Sequence, residues 1–182
     1  NTAMGYYSLY NNISGSYNLS LGYENMYEAE YGNYNLSIGY QALSSDSTTG
    51  NAGDYNIALG FRSLYDNNGG DFNVSVGYES LYSNQVGSDN IAFGTRSSYK
   101  NEDGNDNVSM SNASLYSNIS GSYNIALGKG SLYSHLSNDS IALGYNSQYK
   151  STDGYSNLSI GTNSLYTNTE GISNIAFGHG SQ

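Results

Sequence analysis

The sequence predicts an all-β fold, a β-solenoid of ten to eleven coils of about 17 residues each, and three observations carry that prediction. The first is a pentapeptide, Asn124-Ile125-Ala126-Leu127-Gly128, repeated identically at Asn56-Ile57-Ala58-Leu59-Gly60 and with small changes along the whole chain. The second is its spacing. Copies begin at Asn1, Asn18, Asn35, Asn56, Asn73, Asn90, Asn107, Asn124, Ser140, Asn157 and Asn174. Only the step from Asn124 is one residue short, and only the step from Asn35 is four residues long. The third is that Asn, Asp, Ser and Gly fill the intervals between copies. A fixed period in this range marks a repeat architecture whose units bury their apolar faces by stacking.

Each repeat is read from its Asn as position 1. Positions 2 and 4 are apolar and position 3 is Ala or Ser, a period-two alternation that predicts a short strand. Gly at position 5 permits a turn or a close backbone approach. A second run at positions 8–10, as in Ser63-Leu64-Tyr65 and Ser131-Leu132-Tyr133, predicts a second strand. Turn chemistry follows, as in Asn101-Glu102-Asp103-Gly104, so each coil is expected to hold two short strands and two turns. Stacking turns columns of the repeat into ladders about 4.8 Å per step. The position-1 Asn column predicts an amide ladder, and the apolar columns an aliphatic one. Position 10 predicts an aromatic ladder through Tyr10, Tyr27, Tyr65, Tyr82, Tyr99, Tyr116, Tyr133, Tyr149 and Tyr166.

Position 3 is the most restricted column. It reads Ala3, Ser20, Ser37, Ala58, Ser75, Ala92, Ser109, Ala126, Ala142, Ser159 and Ala176. A solvated strand face has no reason to exclude larger polar residues throughout, so something must pack close to it. With large apolar residues on the other side, both faces of the strand read as buried, one inside the coil and one against a neighbour. The column is therefore expected to pack an oligomer, with a trimer favoured. The alternative is a narrow single-chain coil whose opposite walls meet too closely for larger residues.

Composition removes several function classes. Fifteen acidic against five basic residues give a net charge of −10, so the basic stripe that nucleic acid requires is missing and an anionic membrane surface is disfavoured. No apolar run reaches membrane-spanning length. The chain has no Cys and only two His, His135 and His179, in no ligand spacing, so thiolate metal sites and nucleophilic triads find no support. Acidic residues sit in variable turns rather than as an opposed carboxylate pair. The chain is expected not to be an enzyme and to need no cofactor. Asp89 and Asp106 share a column in consecutive coils and are the weak candidates for a calcium site. The extra residues around Ser45-Asp46-Ser47-Thr48 are expected to bulge from the array.

The run Asn-(Ile/Leu/Val)-(Ala/Ser)-apolar-Gly, followed by Ser-Leu-Tyr and a Gly-containing turn, resembles the head repeats of YadA-like trimeric autotransporter adhesins. It resembles more closely the 17-residue repeats of phage tail-fibre and tailspike proteins. The resemblance spans Asn1 to Gln182 and implies a left-handed parallel β-roll, three chains about one axis, displayed outside a cell or on a virion. The single array would then be a segment of a longer fibre: a rigid spacer whose Tyr ladder offers a surface to a cell-surface glycan or protein receptor. Two further readings stand beside it, a filament subunit stacking head to tail and an ice-binding solenoid.

Overall fold

The computed structural model describes residues 1–45 and 51–182. Positions 2–4 of every repeat form a three-residue strand: β1 Thr2–Met4, β2 Leu19–Leu21, β3 Leu36–Ile38, β4 Ile57–Leu59, β5 Val74–Val76, β6 Ile91–Phe93, β7 Val108–Met110, β8 Ile125–Leu127, β9 Ile141–Leu143, β10 Leu158–Ile160 and β11 Ile175–Phe177. They pair in chain order into one parallel eleven-stranded sheet. Register is column on column: Leu19, Ser20 and Leu21 face Leu36, Ser37 and Ile38, and so on to Phe177. The fold is a β-solenoid, as the period predicts. This stacking favours glycine at position 5, which every coil but the seventh carries. Gly22 has a φ of +144°, and a Cβ there would overlap the carbonyl oxygen of Gly39 in the next coil.

Among the described residues the expected second strand is absent. Positions 7–10 lie in a turn in which positions 7 and 9 take left-handed conformations, as at Arg62 (φ 47°) and Leu64 (φ 52°). An alternation of φ sign cannot extend a pleated strand. Coil-to-coil bonding continues through it nonetheless, with Leu64 N–H donating to Ser80 O at 2.9 Å and Arg62 N–H to Tyr40 O at 2.9 Å.

The interior is narrow. Position 3 lies inside the chain's own coil, with Ser20, Ser37, Ala58, Ser75, Ala92, Ser109, Ala126, Ala142 and Ser159 fully buried and Ala176 nearly so. Ala3, in the first coil, is exposed. The neighbour that keeps this column small is the opposite wall of the same coil. The position-8 hydroxyl donates to the position-3 carbonyl of the next coil, Ser63 Oγ to Ser75 O at 2.9 Å and Ser97 Oγ to Ser109 O at 2.9 Å. The column therefore packs this chain rather than an oligomer. The position-9 leucines supply the apolar filling, in two clusters that end at Ala92 and resume at Leu115.

Three polar ladders complete the wall. At position 1, Asn73 N–H donates to Asn56 Oδ1 at 2.8 Å while the Asn73 amide reaches Gly87 O at 2.8 Å. At position 12, the Asn84 amide donates to Asn67 Oδ1 at 2.7 Å and the Asn101 amide to Asn84 Oδ1 at 2.9 Å. At position 16, Asp54 N–H donates to Asp71 Oδ1 at 2.7 Å, and Asp71 N–H to Ser88 Oγ at 3.0 Å. Each stands in for a strand ladder where the backbone turns. Most of the expected insertion, residues 46–50, lies outside the described residues; Ser45 before it is buried and donates to Asn68 Oδ1 at 3.0 Å.

Candidate functional site

Since position 3 points inward, positions 2 and 4 point out. The sheet presents an apolar strip along all eleven strands, on which Ile38, Ile91, Phe93, Met110, Ile175 and Phe177 are exposed. Two aromatic columns flank it. Tyr6, Tyr23, Tyr40, Phe61 and Tyr78 stack at position 6 with ring centroids 5.1–5.2 Å apart. Tyr17, Tyr34, Tyr55 and Phe72 stack at position 17 at 4.8–5.0 Å. Both columns turn mostly polar further along: position 6 becomes Thr95, Asn112 and Lys129, and position 17 becomes Asp89 and Asp106, with Tyr145 and Tyr123 as single aromatic returns. The sequence carries these columns in plain view at the same period as position 10, but a search led by the Ser-Leu-Tyr run passes over them.

The position-10 ladder forms as expected. Tyr65, Tyr82, Tyr99, Tyr116, Tyr133, Tyr149 and Tyr166 stack continuously at 4.8–5.4 Å, and Tyr10 pairs with Tyr27 at 5.6 Å. The ring faces of this column are turned to one another, so interior rungs show solvent only edges and phenol ends. Sugar stacking needs a free face, which the interior of the ladder does not supply. Burial, then the Glu79 carboxylate, raises the Tyr99 phenol above its ordinary value. Burial, then the negative charge that the neighbouring Tyr133 and Tyr166 phenols carry when ionised, does the same for Tyr149.

Between the position-6 and position-10 columns runs a trough whose floor is position 7. Over coils two to six long side chains fill it. Gln41 Nε2 donates to Glu24 Oε2 at 2.7 Å, and Arg62 Nε donates to Gln41 Oε1 at 2.8 Å. Arg96 pairs with Glu79 at 2.8 Å. The Arg62 guanidinium lies 5.4 Å from the Phe61 ring and 5.3 Å from the Tyr65 ring. Beyond Arg96 the floor becomes Ala113, Gly130 and Asn146, and the trough opens into a cavity of about 310 Å³. Lys129, Tyr133, Tyr145 and Tyr149 line it.

Asp89 and Asp106 are exposed, in left-handed conformations one coil apart. Among the described residues no group of three or more His, Cys, Asp or Glu converges to hold a metal ion, and no helix is long and apolar enough to cross a membrane. His179 is exposed, whereas His135 is fully buried within the position-12 ladder. No protein-family model, curated protein or solved structure matches the chain.

Proposed function

We propose that the chain is a rigid structural module of an extracellular fibre, in which three copies pack their apolar strips toward a common axis and hold their outer columns toward a receptor. One observation carries this reading: the outward apolar strip at positions 2 and 4. Ten strand spacings of ~4.8 Å give the face a length of roughly 50 Å, and six residue steps of ~3.3 Å from position 17 to position 6 give a width of roughly 20 Å. The resulting face, with its flanking columns included, covers on the order of 1,000 Å². It matches the ~800 Å² per partner of a stable interface. Each strand contributes only two outward apolar side chains, a strip narrow enough for three to close around one axis. The likeness of the repeat to trimeric adhesin heads and tail fibres supports the threefold count and the setting outside a cell or on a virion.

Mass in solution tests it, by light scattering across a concentration series. A stable species of three chains is expected. Phe93→Asp, on the outward face, is expected to yield monomer while keeping the β-sheet circular dichroism signal. A wild-type monomer overturns the reading, and mass that climbs with concentration replaces it with end-to-end assembly.

A further inference from the structure

The open stretch of the trough is the part of the surface whose chemistry departs most from the rest of the chain. Its floor is Ala113, Gly130 and Asn146, where the five preceding coils carry Glu24, Gln41, Arg62, Glu79 and Arg96. One wall is the edge of the position-10 ladder at Tyr133, Tyr149 and Tyr166. The other holds Lys129 and Tyr145. Tyr145 differs from the other aromatic residues at position 6. Its neighbours in the column are Lys129 and Thr162, so no ring stacks on either of its faces, and it is 50% exposed. Here an aromatic ring with no stacked ring partner shares the lining with the amides of Asn112 and Asn146 and the phenols of Tyr133, Tyr149 and Tyr166.

Charge is the second departure. The chain has a net charge of −10 and only five basic residues, yet one of them, Lys129, lines this trough and no acidic side chain lines it. Lys129 lines the cavity, and Lys150 lies 5.8 Å from the ring of Tyr166 at its end. Arg62 and Arg96 are engaged by Gln41 and Glu79, whereas no ion pair holds Lys129 among the described residues. At about 310 Å³ the cavity sits at the lower end of small-molecule sites, ~300–1,000 Å³.

We infer that this trough binds a carboxylated sugar, a uronic-acid-type pyranose, with its apolar ring face on Tyr145, its carboxylate on Lys129 and its hydroxyls on Asn112, Asn146 and the phenol edges. A ligand with one apolar face, several hydroxyls and a single negative charge answers each feature of the lining. A flat aromatic acid would leave the amides unpaired, and burying polar groups without partners is unfavourable. The site gives the proposed fibre module a ligand class and rests on that reading only for its biological setting.

Titration of the full chain with methyl glucuronide and methyl glucoside, followed by NMR and calorimetry, tests the site. Saturable binding of the glucuronide is expected, about tenfold tighter than the glucoside, with a charge-assisted contact as the difference. Lys129→Gln is expected to remove that preference and to leave glucoside affinity unchanged. Tyr145→Ala is expected to weaken both sugars. Ala113→Gln refills the floor as Gln41 does, at a matching left-handed backbone (φ 53° and 49°), and is expected to abolish binding without loss of thermal stability. Equal affinity for the two sugars, no saturable glucuronide binding, or indifference to Lys129→Gln overturns the inference. The mass of each sample, read in parallel, judges self-association separately; Ala113→Gln, at position 7, lies outside the face from position 17 to position 6, so its loss of binding is read apart from the apolar interface.

Discussion

At the scale of single residues, the ladders make each departure from the repeat a measurable defect. His135 replaces the position-12 Asn, and its neighbourhood is left incomplete: Asn118 Oδ1, His135 Nε2 and Ser151 Oγ have no hydrogen-bond partner. Burial holds the His135 imidazole at a pKa of about 4, against 6.5 ordinarily, despite opposing bonds to the Ser151 and Ser137 backbone. The unfolded chain therefore takes up this proton near pH 6.5 and the folded chain only near 4. Stability is whole above pH 6.5 and is lost as pH falls toward 4, by about 3 kcal/mol from this residue. Denaturant melts at pH 7 and pH 4.5 check this. His135→Asn, which restores the amide that Asn118 Oδ1 lacks, is expected to flatten the profile and to raise stability at acid pH by about 2 kcal/mol. Ser111 is a second departure. It occupies the position-5 glycine site at a φ of 133°. Ser111→Gly is expected to raise the melting free energy by about 1–2 kcal/mol, since that backbone region favours glycine.

At the scale of one coil, much was legible and two things were not. The alternation Asn-Ile-Ala-Leu-Gly located every strand, because period two at a fixed repeat leaves little freedom. Which face of that strand turns inward could not be read from hydrophobicity. In most sheets the bulky apolar side chains enclose the core. Here the coil is too flat to admit them, so Ala58 and Ser75 go in while Ile57 and Val76 stay at the surface. The signal lay in the pairing of two small columns, position 3 with the Ser of position 8, which predicts a close approach within one chain. Positions 8–10 looked like a strand because Leu and Tyr favour strands, but left-handed geometry at Leu64 and Leu81 owes nothing to side-chain propensity. It is imposed by the need to turn. The position-9 column also shows what a coil contributes to stability. Ser98 stands where most coils carry Leu (Met26 and Gln148 are further exceptions), and its hydroxyl bonds Ser109 Oγ at 2.8 Å. Ser98→Leu is expected to add about 1–2 kcal/mol by chemical denaturation, since leucine already takes this backbone at Leu81 and Leu115.

At the scale of the molecule, the candidate site was legible only in part. The Tyr column was readable, whereas the trough depends on what is missing from position 7 in three consecutive coils, and absence stands out only once the filled coils define the space. The array also divides along its length. Aromatic columns border the apolar strip from Tyr6 to Tyr78, while Asp89, Asp106 and Lys129 take their places beyond. The interior divides near the same place, one leucine cluster ending at Ala92 and the next starting at Leu115. Linear arrays are held by nearest-neighbour contacts, so the weakest interface sets where cooperativity fails. Hydrogen exchange is expected to show a protected block on either side of coil six. Ser98→Leu should fuse them, and a single block in the wild type would contradict this division. For a rod under load the consequence is mechanical. Its coil-to-coil hydrogen bonds run along the pulling direction, so tension is borne in series, and the seam at Ser98 is where the rod would yield first, leaving the coils on either side wound.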